Sequence, residues 1–195
     1  LVPRIKDTAL ILYLIYIVMT VIETVMLLFG GMSFFESLLH TFGTAGTGGF
    51  GLKRDSLASY SPYIQWVITA FMILFGVNFN LYYLMLLKKF KAVVTSTELW
   101  AYFGIILSSA ALIAWNIRHL FVGIEQTVRT AAFQVASVIS TTGYATADFN
   151  LWPNFSKNIL FILMFIGGCA GSTAGGIKVS RIVLLFKLIS NEVKR

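Results

Sequence analysis

The sequence predicts an all-α membrane protein made of two successive units, each a span, a short helix, a loop and a second span. Three observations carry this prediction. Only 12% of the 195 residues are charged and 57% are hydrophobic, with a mean hydropathy of +0.82, whereas a soluble domain carries roughly 25% charged residues. Apolar runs near 8–29, 62–87, 99–117 and 156–189 match or exceed the roughly 20 residues that a bilayer requires. A loop rich in Gly and Thr occurs twice, so that Gly49-Phe50 and Gly143-Tyr144 lie 94 residues apart.

The first unit occupies residues 1–97. Its opening span, 8–29, carries Glu23 as its one charge and stops at Gly30-Gly31. Ser33 then fits an N-cap for a short helix to Phe42. Ten residues at about 1.5 Å each reach about half a bilayer, so this helix is expected to be re-entrant. A loop and the polar turn Lys53-Arg54-Asp55-Ser56 follow. The next span, 62–87, holds no charge, and Tyr60, Tyr63, Trp66, Tyr82 and Tyr83 near its ends fit interfacial belts. The second unit, residues 98–195, repeats the order: an uncharged span over 99–117, a short helix over 127–139, a loop, an outer turn at Asp148, Trp152 and Pro153, and a last span from about 156 to 189.

The charges set the orientation. Net charge is +7, and Arg4, Lys6, Lys88, Lys89, Lys91, Lys178, Arg181, Lys187, Lys194 and Arg195 flank or follow apolar runs, as the positive-inside bias requires. Both chain ends and the 88–91 segment are therefore expected in the cytoplasm. No basic stripe is interleaved with exposed aromatics, which excludes nucleic acid as a partner. The single Cys169 excludes an intrachain disulfide and a multi-cysteine metal site. Leu1-Val2-Pro3-Arg4 resembles a protease tag site. The apolar run from Ala9 lacks a small-residue cleavage signal and is not read as a removable leader.

Each Gly/Thr loop follows a helix too short to cross the membrane. Thr47, Gly48, Gly49 and Phe50 in the first, with Thr141, Thr142, Gly143 and Tyr144 in the second, offer carbonyls and hydroxyls able to replace water around a small cation. Glycine is needed where a side chain would narrow the path or turn a carbonyl away. The negative ends of the short helices add attraction for a cation. A serine at either Gly49 or Gly143 is expected to disturb ion preference with little effect on folding. The bland alternative is a pair of turn glycines, which leaves their matched positions without a reason.

The run Gly167-Gly168-Cys169-Ala170-Gly171-Ser172-Thr173-Ala174-Gly175-Gly176 is small around its whole circumference. Helix packing asks for small residues on one face only, and this much glycine weakens a helix. A break in the last span is predicted, of the kind tolerated at membrane depth where it lines a water-filled cavity. Such a break belongs on the conduction path, as a gating loop. Ile177-Lys178 follows where a phosphate loop needs Lys-Ser or Lys-Thr. Lys178 reads as an inner-side anchor, or as a fixed positive charge facing the loop. His40 reads as hydrogen-bonded packing. The competing class is a membrane-embedded serine hydrolase with Ser172 as nucleophile, but Ala170 stands where its motif needs glycine. A purely structural subunit is the third class.

The loops Thr47-Gly48-Gly49-Phe50 and Thr141-Thr142-Gly143-Tyr144-Ala145-Thr146-Ala147-Asp148, and the small-residue run 167–176, resemble the Trk/Ktr/HKT superfamily of potassium transporters. The likeness covers nearly the whole chain. It implies potassium uptake across the plasma (inner) membrane, no enzymatic activity, and no cofactor beyond K⁺ as the transported ion. It implies a filter glycine at Gly143, and at Gly49 in the first unit, because Phe50 follows Gly49 as Tyr144 follows Gly143; Gly48 is the second choice. It places K⁺ at Gly49 and Gly143. It also implies a homodimer and a cytoplasmic ring of nucleotide-binding subunits. Four such units surround the pore in that superfamily. The two here look like the second and third, so the chain is expected to be a fragment; the other expectation is that two copies combine.

Overall fold

A computed structural model describes residues 5–193; the tag-like residues 1–4 lie outside it. The described residues form an all-α membrane protein. Its helices are α1 (Ile5–Phe29), α2 (Phe34–Ala45), α3 (Pro62–Phe75), α4 (Phe79–Leu86), α5 (Phe90–Val94), α6 (Thr97–Ile117), α7 (Ile124–Ile139), α8 (Asn154–Phe165) and α9 (Val179–Val193). By length and composition, α1 over Thr8–Phe29 and α6 are long enough to cross a bilayer. Leu10, Tyr13, Leu14, Val18 and Val21 of α1 are exposed, an apolar surface that lipid covers and water does not. Glu23 is fully buried instead.

The two short helices are α2 and α7. α2 begins with a reciprocal cap: Glu36 N–H donates to Ser33 Oγ at 3.3 Å, and Ser33 N–H donates to Glu36 Oε2 at 3.1 Å. That backbone bond from Ser33 holds the Glu36 carboxyl below the usual carboxylate range. α2 runs one turn further than expected, to Ala45. α7 lies between the two halves and packs on both α6 and α3. One apolar core gathers Leu27, Ile68, Met72, Phe75 and Tyr144; a second gathers Tyr102, Ile106, Ile139, Leu160 and Cys169.

The expected continuous span over 62–87 is broken. α3 and α4 meet at 88°, across Gly76-Val77-Asn78. The cause is tertiary. A β-carbon on Gly76 would lie 2.1 Å from Tyr102 Oη, so the Tyr102 phenol fills the space beside this turn. The carbonyls freed at the end of α3 all find donors, as buried backbone must. Tyr102 donates to Ile73 O at 3.1 Å and Tyr82 to Leu74 O at 2.8 Å. Thr173 N–H donates to Phe75 O at 3.3 Å and Cys169 N–H to Gly76 O at 2.9 Å. The Asn78 side chain then caps α4 through Asn80 N–H at 2.9 Å.

The break expected in the last span is present between α8 and α9. Its neck is pinned by Gly167 N–H to Ile177 O at 2.9 Å and Ile177 N–H to Phe165 O at 3.3 Å. The strands pass so closely that a β-carbon on Gly167 would sit 1.8 Å from Gly175 O.

Candidate ion pathway

The loops after α2 and α7 fold alike. Gly43 O accepts from Gly48 N–H at 2.8 Å and Gly49 N–H at 3.3 Å; in the second loop Ser137 O accepts from Thr142 N–H at 3.0 Å and Gly143 N–H at 3.4 Å. Thr47 and Thr141 take φ of 53° and 58°, and Gly49 and Gly143 take φ of 67° and 90°. Positive φ at a β-branched residue is rare and costs on the order of 1–3 kcal/mol. This pattern brings Gly49, rather than Gly48, into register with Gly143.

The turns leave oxygen atoms bare. Among the described residues the carbonyls of Thr47, Gly48, Gly49, Thr141, Thr142 and Gly143 accept no hydrogen bond. Each set stands at the C-terminus of a short helix, where the helix dipole is negative. A β-carbon on Gly143 would meet nothing within 4 Å, whereas one on Gly49 would lie 2.0 Å from Thr142 O. The second glycine faces open space and the first presses against the neighbouring loop.

The other predicted residues take distinct places. Tyr144 is fully buried. Its hydroxyl donates to His40 O at 3.2 Å and Phe50 O at 3.4 Å, and lies 3.3 Å from His40 Nδ1. Its own carbonyl accepts from Ser137 Oγ at 2.6 Å. Tyr144 is therefore a strut between the two loops, and His40 is packing. Phe50, the matching position, is 79% exposed and lines a groove with Phe42, Gly43 and Gly48. Thr142 Oγ1 is 2.7 Å from Ser140 Oγ.

The 167–176 run lies directly beside the second loop, because Gly175 N–H donates to Thr141 Oγ1 at 2.7 Å. Gly171 O accepts from Phe79 N–H at 3.1 Å, which ties the run to the broken first span as well. The Lys178 amine folds back and donates to Ala174 O. Ser172 Oγ donates to Cys169 O at 2.6 Å, and neither ring nitrogen of His40 contacts it. No cluster of His, Cys, Asp or Glu able to hold a metal occurs among the described residues.

Sequence reasoning passed over Gly43, Tyr102 and Glu98. Gly43 is small because Tyr144 needs the room: a β-carbon there would lie 2.1 Å from Tyr144 Oη. Gly43→Ala is expected to destabilise the protein by about 1–3 kcal/mol, as overpacking does. Tyr144→Phe in the same chain is expected to restore part of that loss, with coupling of about 1 kcal/mol. Thermal unfolding of the four proteins in detergent measures the cycle, and additive losses refute the contact. Glu98, the acid in the first turn of an otherwise uncharged span, accepts from Ala170 N–H within the 167–176 run and from Ser180 N–H in the first turn of α9.

The sequence profile of a family described as TrkH, cation transport protein, matches residues 1–107 and 92–195. The Trk system potassium uptake protein TrkH of Escherichia coli (strain K12) is 36% identical over 198 residues, covering 99% of this chain and 41% of the relative. The protein of that name from Halomonas elongata is 33% identical over 215 residues, covering 100% and 41%. The potassium transporter TrkH from Vibrio parahaemolyticus, a crystal structure, superposes with a TM-score of 0.92 at 31% identity, covering 100% of this chain and 43% of that one. The chain spans about 41% of the length of these curated relatives.

Proposed function

We propose, from the premise that this chain belongs to the TrkH family of cation transport proteins, that it forms part of a potassium-selective pore for uptake across the plasma membrane. The observation that carries the reading is the matched pair of left-handed turns, whose carbonyls at Thr47, Gly48, Gly49, Thr141, Thr142 and Gly143 accept no hydrogen bond among the described residues. These oxygens take the place of hydration water, with K⁺ held at Gly49 and Gly143. Tyr144 braces the turns from behind. The units are residues 1–97 and 98–195, and the 167–176 run is the gating loop.

Two units make half of a fourfold ring. Tyr144 has the first unit to pack against, while Phe50 stands exposed beside its groove. The reading gives that groove to a further unit, from a longer chain or a second copy. The relatives are named as parts of a Trk system, which supports a membrane subunit working with other components; a homodimer and a cytoplasmic nucleotide-binding ring belong to the same proposal. The family is one of transport proteins, so the chain is read as a transport subunit and not as an enzyme.

The test is uptake. A complete protein carrying this segment is expected to restore growth of cells deficient in K⁺ uptake at low external K⁺, with Na⁺ a poor substitute. In liposomes the 195-residue chain alone is expected to give no selective flux. Equal uptake of K⁺ and Na⁺ by the complete protein refutes the filter, and selective flux from the 195-residue chain shows that copies of it assemble the pore.

A further inference from the structure

We propose that Glu98 is the latch of the glycine-rich loop, a positioning residue whose carboxylate holds the loop in its blocking place and whose release lets it withdraw. The proposal rests on the gating reading above. One oxygen, Oε1, accepts from Ala170 N–H at 2.6 Å, early in the loop, and from Ser180 N–H at 3.3 Å, just beyond it in the first turn of α9. These partners are 72 and 82 residues away in sequence. A single carboxylate therefore ties the leading strand of the loop, the helix that follows it and the start of α6 together.

The chemistry singles Glu98 out from the other anchors. The loop also bonds to backbone at Phe75 O and Gly76 O and to the Thr141 hydroxyl. Those are neutral groups, and the one other charged anchor, the Lys178 amine on Ala174 O, is only four residues from its partner and ties the loop to its own flank rather than to α6. A carboxylate makes shorter bonds, roughly twice as strong as neutral ones, and 2.6 Å fits that class. Ser180 N–H is one of the donors that a helix start leaves without an intrahelical partner, and an anion there is favoured by the helix dipole. The same oxygen thus stabilises α9 and the loop only while the two stay together. Movement of α9, or of the basic 88–91 segment and α5 that lead into α6, pulls the carboxylate off one partner or the other. A latch at that place converts a shift of the helix ends into release of the loop.

The experiment uses the complete transport protein in liposomes, with single-channel open probability as the readout. Hydrogen exchange at the amides of Ala170 and Ser180 is followed alongside. Glu98→Ala is expected to raise open probability about tenfold, the scale of a lost charge-assisted bond, and to speed exchange at both amides. Glu98→Gln keeps an acceptor oxygen and is expected to lie between Glu98→Ala and the parent. In a background lacking residues 170–175, Glu98→Ala is expected to add nothing. A purely structural role lowers folded yield and flux together and gives no rise to cancel. If removing residues 170–175 raises flux while a folded Glu98→Ala protein conducts like the parent, the latch is wrong and the gate stands. If Glu98→Ala raises flux equally with and without the loop, the latch is wrong as well. If removing the loop changes nothing, gate and latch fall together.

Discussion

Gly49→Ser in the complete protein is expected to abolish K⁺ uptake and to lower the yield of folded protein severalfold, while Gly143→Ser is expected to leave a folded protein that has lost its preference for K⁺. The two glycines occupy matched turns and carry the same backbone sign, so their sequence predicts one outcome for both. The structure separates them. At Gly49 a β-carbon would lie 2.0 Å from Thr142 O, 3.0 Å from Thr142 C and 3.2 Å from Gly143 C. These are backbone atoms of the other loop, and no rotamer change relieves them. Left-handed backbone at a side-chain-bearing residue adds about 1–2 kcal/mol. At Gly143 only that backbone cost remains, since nothing lies within 4 Å of the new atom. The serine then projects into the open space beside bare carbonyls. A tenfold fall in K⁺ over Na⁺ preference corresponds to about 1.4 kcal/mol of differential binding, a modest demand on a hydroxymethyl group placed there. Monodisperse yield in detergent and paired K⁺ and Na⁺ uptake separate the two effects. A well-folded, selective Gly49→Ser protein would show that the loops do not touch as described.

Removal of residues 170–175 from the complete protein is expected to raise K⁺ flux by about tenfold or more and to leave the K⁺/Na⁺ ratio nearly unchanged. Two states separated by a few kcal/mol suffice for a switch, and the deleted segment carries many of the bonds that hold one of them. Ala170 and Gly175 bond to Glu98 and Thr141, and Gly171 and Thr173 bond to the broken turn of the first unit. The neck bonds of Gly167 and Ile177 lie outside the deletion, so α8 and α9 keep their connection. Open probability and reversal potential, recorded on the same patches, report gate and filter apart. Unchanged open probability in a folded deletion protein makes the loop a packing element.

Much of the architecture was legible because its causes are local. Spans follow from runs of apolar residues, the start of α2 from Ser33 and Glu36 three residues later, and the break between α8 and α9 from a run too rich in glycine to stay helical. The kink after α3 was not legible. Pro62 to Leu87 reads as an uninterrupted apolar helix, and Gly76 by itself is a weak signal. The turn exists because Tyr102, Cys169 and Thr173 arrive from the other unit with the donors and the bulk that it needs. Glu98 was hidden for the same reason: its partners are backbone N–H groups, which no sequence pattern marks. The pairing of the two Gly/Thr loops was visible in spacing, but their inequality depends on which loop leans on which. Tyr144 finds His40 and Gly43 to lean on, and Phe50 has no counterpart among the described residues.

Under the proposed gating, the manner in which the glycine-rich loop is held also sets how its release is expected to respond to temperature. Its contacts are hydrogen bonds from Ala170, Thr173 and Gly175 to oxygen atoms, and its side chains are hydrogen atoms, methyls, hydroxyls and one thiol. Withdrawal exposes little hydrocarbon, and heat capacity rises by only about 0.45 cal/mol/K for each Å² of apolar surface exposed. Opening is therefore expected to carry a small heat-capacity change. Its van 't Hoff plot is then expected to be close to a straight line, without a turning point across the physiological range.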